Sequence, residues 1–450
     1  MYYMFNEYPP IGLASIAAVL EKNGFEVSII DMKPCRVGYE ELETRLAACD
    51  VVGVTSMSEN SGESLKVARI AKKLGKTVIM GGAHVSMMPN TTLADEAVDF
   101  GVLGEGEATI IELMEHLSGR KPAANLEAIH GLAFRKDGKV VITPPRALIK
   151  DLDSLPFPAY KMLPPLNVYF APQVKNFPLG AIMSSRGCPF GCVYCSKSVF
   201  GRTFRQHSPQ RILSDIKRLV GEHGVRELHV LDDAFNADMA RAKNIFRSII
   251  SENLGLSIYF PAGLRIDNID EEFIDLMKKA GGYGLNVGVE TGNSGVMRSI
   301  NKSLSLETVE TKAKLIMDSG LLLSTNFMIG HLADTEETIR QSVDFAIKLN
   351  PNFAGFQITT VYRDTELYKQ ASARSLTDPA NKTGFEYCVT PEFTLERLKK
   401  LRRSAMLRFM LRPAYIPRLL QALRTYKTFY LAKSIYRLFV LRFLSTWDSR

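Results

Sequence analysis

Arg186-Gly187-Cys188-Pro189-Phe190-Gly191-Cys192-Val193-Tyr194-Cys195 is the stretch from which the rest of the chain is read. Three of the six cysteines fall within these ten residues, spaced C-x3-C-x2-C, between an apolar run (Leu179 to Met183) and a polar segment. A lone cysteine behaves as a small hydrophobe, but three converging thiols repel one another once ionised unless a metal neutralises them. Zinc would want a fourth ligand near by, and His207 sits twelve residues beyond Cys195 with no second cysteine pair. Iron–sulfur clusters are normally held by four thiolates, so three point to a 4Fe-4S cluster whose last iron takes another ligand. The bland alternative is a zinc or disulfide staple.

Length and composition set the frame. At 450 residues the chain is too long for one ordinary core, and 46% hydrophobic with 23% charged residues describes a soluble globular protein of two or three domains. Cys35, Cys49 and Cys388 lie scattered, so no disulfide framework is expected and a reducing cytoplasm is the expected home. The opening stretch Met1 to Pro10 has neither a basic start nor an apolar core, and no run of apolar residues is long enough to suggest a membrane span. From Glu392 onward fourteen Lys and Arg stand against three Asp and Glu, a local +11 within a chain of net +8, so the basic character belongs to the tail.

Ahead of the cysteines the pattern is α/β. Apolar residues from Ile11 to Leu20 recur at helical spacing up to Asn23-Gly24, and Phe25 to Ile30 reads as a strand. A helix over Tyr39 to Ala48, a buried-type strand Val51 to Thr55, a helix over Glu63 to Leu74 and a strand Thr77 to Met80 follow, ending at Gly81-Gly82. This alternation predicts a doubly wound parallel sheet, in which ligands sit outside the carboxyl ends of the strands and glycine lets them approach the backbone. Residues 119–178, with a short hairpin over Leu132 to Ile142 and the proline-dense runs Pro144-Pro145 and Pro156 to Pro165, read as a linker.

From Gly180 six further strand and helix repeats suit a partial (β/α)6 barrel, whose active residues belong at the carboxyl ends of strands. The cysteine loop follows the first strand, Asp232-Asp233 the second, Arg265 and Asp267 the third, Glu290 the fourth and Gly330 the fifth. The expected domains are 1–118, a linker over 119–178, the barrel over 179–375 and a helical tail over 376–450.

The cysteine spacing, with Tyr194 ahead of the third cysteine, resembles the radical S-adenosylmethionine superfamily. Pro9-Pro10-Ile11-Gly12-Leu13, Gly24-Phe25-Glu26-Val27, Gly81-Gly82-Ala83-His84-Val85-Ser86-Met87-Met88-Pro89 and Gly104-Glu105-Gly106-Glu107 resemble the cobalamin-binding domain that precedes many of its cores. The resemblance implies that Cys188, Cys192 and Cys195 hold the cluster, with S-adenosylmethionine chelating the open iron. It also implies that Tyr194, Glu290, Arg265 and Gly330 meet S-adenosylmethionine, that Asp232 and Asp233 act with Glu290 as catalytic carboxylates, and that Ser56, Gly81, Gly82, His84, Gly104 and Glu105 meet cobalamin. Two departures stand out: only eight residues precede Pro9, where a further strand is usual, and no Asp-x-His-x-x-Gly stretch offers a cobalt-ligating histidine. His331-Leu332-Ala333 and Val361 to Asp364 also depart from the family's proline- and glycine-rich forms, and are expected to line a substrate site.

The implied activity is radical methylation of an unactivated carbon in a small molecule or lipid, with electrons from an external flavodoxin- or ferredoxin-type donor. The alternatives are a radical cyclase or oxidoreductase on a tetrapyrrole or lipid and, in another class, a non-catalytic cobalamin-binding protein. The tail reads as helices packed on the core. A sharper reading is peripheral contact with anionic lipid, although its cations do not share one helix face. No RNA-binding module accompanies the charge, so nucleic acid is not an expected partner.

Overall fold

The computed structural model describes residues 7–121 and 125–426. Its first sheet runs β1 (Val51–Thr55), β2 (Thr77–Gly81), β3 (Phe100–Val102), β4 (Leu132–Lys136) and β5 (Lys139–Ile142), in that spatial order. The first three strands are parallel and the last two antiparallel. Alternation in β2 explains the two-sided packing. Val78 and Met80 join Leu42, Leu46, Ala68 and Ala71 on one face, while Ile79 joins Val19, Ile110 and Leu113 on the other.

Two expectations are corrected here. Phe25 to Ile30 forms no strand, because a strand needs a hydrogen-bonded neighbour and the outer edge of β1 pairs with nothing among the described residues. The hairpin read as part of the linker over 119–178 instead continues the sheet, Phe134 opposite Phe100, because its apolar face (Leu132, Phe134) completes the core under the helix Glu107–Leu117.

The second sheet is wholly parallel: β6 (Leu179–Ile182), β9 (Glu227–Val230), β10 (Ser257–Phe260), β11 (Gly282–Glu290), β12 (Leu322–Ile329) and β13 (Phe353–Ile358) lie side by side in chain order. Between β6 and β9 a two-residue ribbon, β7 (Ser185–Arg186) against β8 (Arg205–Gln206), frames the cysteine loop. A second small ribbon, β14 (Thr360–Tyr362) with β15 (Phe385–Tyr387), follows β13. The connecting helices start where local chemistry predicts. Ser208 accepts from Arg211 N–H ahead of Pro209–His223, with Gly224 left-handed at its end, and Asp238 accepts from Arg241 N–H ahead of Met239–Glu252.

On β11, Leu285, Val287 and Val289 are fully buried against Phe273, Met277 and Ile316 of the helical layer. Alternation turns Asn286, Gly288 and Glu290 to the opposite, concave side. The near end of the concave face is closed by the tail: Ala422 and Tyr426 pack with Tyr259, Tyr283 and Leu322. Helix Leu395–Met410 covers β13 through Phe409 and Phe356, whose rings lie 6.5 Å apart. The tail through Tyr426 therefore packs on the core, and residues 427–450, where the basic pattern continues, lie outside the described residues. No helix among the described residues is long and apolar enough to cross a membrane.

Candidate functional site

The ends of β1, β2 and β3 face the barrel across a cavity of about 220 Å³. Gly12, Gly53, Gly81, Gly82 and Gly104 line its first-domain side, and Ile182, Val199, Phe200 and Ile212 the other. The strand ends need glycine for stated reasons. Gly82 has φ +101°, and a Cβ there would stand 2.7 Å from the Ser56 carbonyl. The fully buried Ser56 hydroxyl has no partner among the described residues, an orphan that a polar ligand edge would satisfy. Gly104, left-handed at φ +68°, donates its N–H to Ser86 Oγ at 2.9 Å. This cradle, apolar with a few polar atoms at its rim, fits the corrin and side chains of cobalamin. His84 is 3% exposed, faces Ser58 Oγ at 3.4 Å, and burial holds its imidazole below the usual range. Its Cε1 also lies against the Gly384 backbone, where a Cβ would stand at 3.4 Å.

Glu105 lines the cavity and also carries a network of its own. Its carboxylate accepts from Arg186 at 2.9 Å, from Arg205 at 2.7 Å and from the Ile149 N–H at 2.8 Å. Glu107 pairs with the other arm of Arg186 at 2.5 Å. With its acceptors engaged, Glu105 shapes the cavity wall and ties it to the cysteine loop.

The cysteine loop lies at the carboxyl end of the first barrel strand, as in the sequence reading. All six cysteines are free, and among the described residues no three His, Cys, Asp or Glu side chains converge on a position for a single ion. Cys195 is exposed as a residue but its sulfur is the buried part, and burial pushes its thiol up to about 12, with the like charges of Cys188 and Cys192 adding to the rise and Lys197 opposing it. Three thiols that feel one another in a partly dry pocket fit the donor set of an iron–sulfur cluster. Lys197 Nζ braces the loop by donating to the Cys188 carbonyl at 2.8 Å and to that of Phe190.

Beside the cysteines, Glu290 ends β11 in the left-handed region at φ +71°, after a bulge against β12. Its carboxylate is held by Lys302 Nζ at 2.9 Å, and Lys302 also reaches the Tyr194 hydroxyl at 3.2 Å. Burial and the Glu290 charge raise the Tyr194 phenol well above its ordinary range. A Cβ on Gly288 would meet Glu290 Oε1 at 2.3 Å and Lys302 Nζ at 3.0 Å, so glycine at 288 is what makes room for the ion pair. The result is a fixed acceptor next to the thiols, suited to hydroxyl and ammonium groups of a nucleotide cofactor.

Several other expected site residues are engaged by neighbouring scaffold groups, while Asp233 stays close enough to Cys195 for its charge to raise that thiol. Asp232 is 1% exposed and accepts from the Ser184 N–H and Oγ, both at 2.6 Å, and from the Ser185 hydroxyl, so it clamps the start of the cysteine loop from a buried position. Asp233 lies at the surface and accepts from the Gly187 backbone. Arg265 pairs with Asp267 at 2.7 Å, donates to the carbonyls of Lys302 and Ser303 at 2.8 and 2.7 Å, and lies 4.3 Å over the Phe190 ring, bracing one loop on the other. Gly330 is left-handed at φ +82°, and a Cβ there would strike Leu398 at 2.8 Å, so its glycine serves the packing of the tail helix. His331 stacks toward Tyr194 at 6.1 Å and is 2% exposed, with both ring nitrogens unpartnered among the described residues. Lys302, Arg186, Arg205 and Glu107 were not singled out from sequence. Arg186 and Glu107 lay inside quoted motifs, which hinted at a role without saying which partner each would find.

Comparison with known proteins follows this geometry. Residues 4–114 match the B12 binding domain and residues 182–346 the Radical SAM superfamily. An uncharacterized methyltransferase of Pyrococcus horikoshii is 34% identical over 421 residues, covering 90% of this chain and 88% of the relative. The cytidylyl-2-hydroxyethylphosphonate methyltransferase of Streptomyces wedmorensis is 30% identical over 427 residues, covering 82% and 79%. The anaerobic magnesium-protoporphyrin IX monomethyl ester cyclase of Rubrivivax gelatinosus is 25% identical over 372 residues, covering 81% and 66%. The fold is that of the radical S-adenosylmethionine methyltransferase TsrM from Kitasatospora setae, solved with cobalamin and a [4Fe-4S] cluster, at TM-score 0.68 and 23% identity over 83% of this chain and 74% of that one. With a strand-end cradle for cobalamin, a three-thiol loop facing a fixed carboxylate, and near full-length relatives at 34% and 30% identity, the chain belongs to the cobalamin-dependent radical S-adenosylmethionine enzymes.

Proposed function

We propose that this enzyme methylates an unactivated carbon of a small molecule. When bound, the cluster with S-adenosylmethionine would supply a radical that abstracts a hydrogen atom from the substrate carbon, and cobalamin would supply the methyl group to that carbon. Cys188, Cys192 and Cys195 would hold the cluster, and Glu290, oriented by Lys302 and flanked by Tyr194, would hold the nucleoside or amino end of S-adenosylmethionine. Gly81, Gly82 and Gly104 of the cavity lining would cradle cobalamin, with the unpartnered Ser56 hydroxyl next to Gly82. Ser198 Oγ reaches the Ala83 carbonyl at 3.3 Å and the Tyr362 hydroxyl reaches Glu59 at 2.9 Å, so the two domains are tied to each other beside the cofactor sites.

The observation that carries the choice of methyl transfer is the high identity, over most of the chain, to two methyltransferases. Product mass after turnover with deuteromethyl S-adenosylmethionine tests it. A retained label supports methyl transfer, and an unlabelled oxidised or cyclised product supports the second reading, radical cyclisation of a tetrapyrrole or lipid, which the cyclase relative favours. Electrons are proposed to come from an external flavodoxin- or ferredoxin-type donor. The exposed Leu411 (73%), Ile416 (57%) and Leu420 (46%), near Arg412, Arg418 and Arg424, are compatible with peripheral contact with anionic lipid.

A further inference from the structure

We propose that Glu105, assisted by Glu107, is a positioning residue for the iron–sulfur site, so that occupancy of the cobalamin cavity and the set of the cysteine loop are coupled. The inference rests on the cofactor assignment above.

Four side chains carry it. Glu105 and Glu107 belong to the first domain, Arg186 and Arg205 to the barrel, and all four are between 6% and 8% exposed. The arginines face each other across the β7–β8 ribbon, at the two necks of the loop that carries the three thiols. Arg186 is followed by Gly187, left-handed at φ +81°, whose Cβ position lies 2.3 Å from the Thr203 carbonyl, and then by Cys188. A shift of the Arg186 backbone therefore has no slack in which to die out before the first thiol. Arg205 is fixed further by donating to the Ile149 carbonyl at 2.8 Å.

The opposite side of the same contact is the cavity. Gly104, Glu105, Gly106 and Glu107 line it, and so do Arg186, Val199 and Phe200. Gly104 sits so close to the loop that a Cβ would be 3.7 Å from the Val199 carbonyl, and the Arg186 guanidinium lies 5.3 Å from the centre of the Phe200 ring. A ligand filling the cavity presses on residues that belong simultaneously to its own cradle and to the frame of the thiols. Two carboxylates against two guanidiniums, in a site that excludes water, have one low-energy arrangement. Neutralising one carboxylate leaves a buried guanidinium undercompensated and frees the ribbon. Coupling of this kind is reciprocal: whatever the cluster does to cobalamin affinity, cobalamin does to the cluster.

The test uses the full chain. In wild type, the dissociation constant for hydroxocobalamin is measured by absorbance titration on cluster-free and on anaerobically reconstituted protein, and the electron paramagnetic resonance spectrum of the reduced cluster is recorded with and without cobalamin. An affinity difference of about fivefold or more, with a cobalamin-dependent change in the cluster spectrum, is expected. In Glu105→Gln both the difference and the spectral change should be lost while cobalamin still binds, and iron retained per chain should fall. Equal affinities and superimposable spectra in wild type overturn the coupling even if the variant fails to fold. A folded Glu105→Gln that keeps both the wild-type iron content and the linkage overturns the role of Glu105. Wild-type protein that takes up no iron or no cobalamin overturns the cofactor assignment and this inference with it, an outcome distinct from two cofactors that bind independently.

Discussion

Lys302 and Glu290 form an ion pair of 2.9 Å at the carboxyl end of β11, with side chains only 13% and 10% exposed. Burial is the largest single effect on Lys302 and would lower it, but the charges of Glu290 and Cys192 and the hydrogen bond to Glu290 together hold the ammonium above its usual range. Such a pair costs desolvation to assemble and more to break, since the surviving charge is left buried.

Lys302→Met should therefore lower stability by roughly 3 kcal/mol, read from urea unfolding of the cofactor-free protein. The double variant Lys302→Met with Glu290→Gln should recover a good part of that loss, because no lone charge remains. S-adenosylmethionine affinity should fall in both, since Glu290 is either misplaced or uncharged. A double variant no more stable than the single one would contradict the pair's assignment.

Cys192→Ala should abolish iron retention. One thiol of three is removed, and the two that remain cannot hold an iron–sulfur cluster of this kind. Iron per chain and the sulfide-to-iron absorbance band after anaerobic reconstitution report the result, with Cys35→Ala, a free and exposed cysteine of the first domain, as the control expected to behave as wild type.

Gly82→Ala should weaken cobalamin binding by about tenfold or more. The backbone at φ +101° disfavours any side chain by roughly 1–2 kcal/mol, and the new methyl would stand 2.7 Å from the Ser56 carbonyl. Retained cobalamin per chain measures the loss. Iron content need not be wild type if the two sites are coupled as inferred.

His207 gives the protein an acid-sensitive contact. Burial pushes its imidazole down to about 4, against the partial support of Asp153 at 3.0 Å. The folded state thus prefers the neutral ring, while the unfolded chain takes up a proton near pH 6.5. The stability it confers is complete above pH 6.5 and is lost as pH falls toward 4, about 3 kcal/mol in all by linkage. Comparison of unfolding free energies at pH 7 and pH 4.5 should show wild type losing more than His207→Gln, with the gap closing above neutrality.

Local features were legible in the chain itself. The C-x3-C-x2-C spacing marked the thiol loop, and the strand and helix repeats read from Gly180 onward marked all six barrel strands. These depend on neighbours within a few positions, and the backbone obeys them wherever the segment sits. Phe25 to Ile30 carried a strand pattern too, but a strand is a relation between two segments, and the pattern says nothing of whether a partner exists.

What tertiary structure alone decided is how charges are spent. Asp232 and Arg265 stand at strand ends where catalytic residues are expected, yet their hydrogen bonds go to Ser184, Ser185, Lys302 and Ser303. Glu105 is separated by 81 residues from Arg186 and by 100 from Arg205, and no periodicity spans such distances. The sequence determined which thiols could gather and which segments became strands, because those outcomes are short-range. Which carboxylate faces a cofactor and which braces the fold followed only from chain topology, because a buried charge settles on whatever counter-charge the folded core brings within reach.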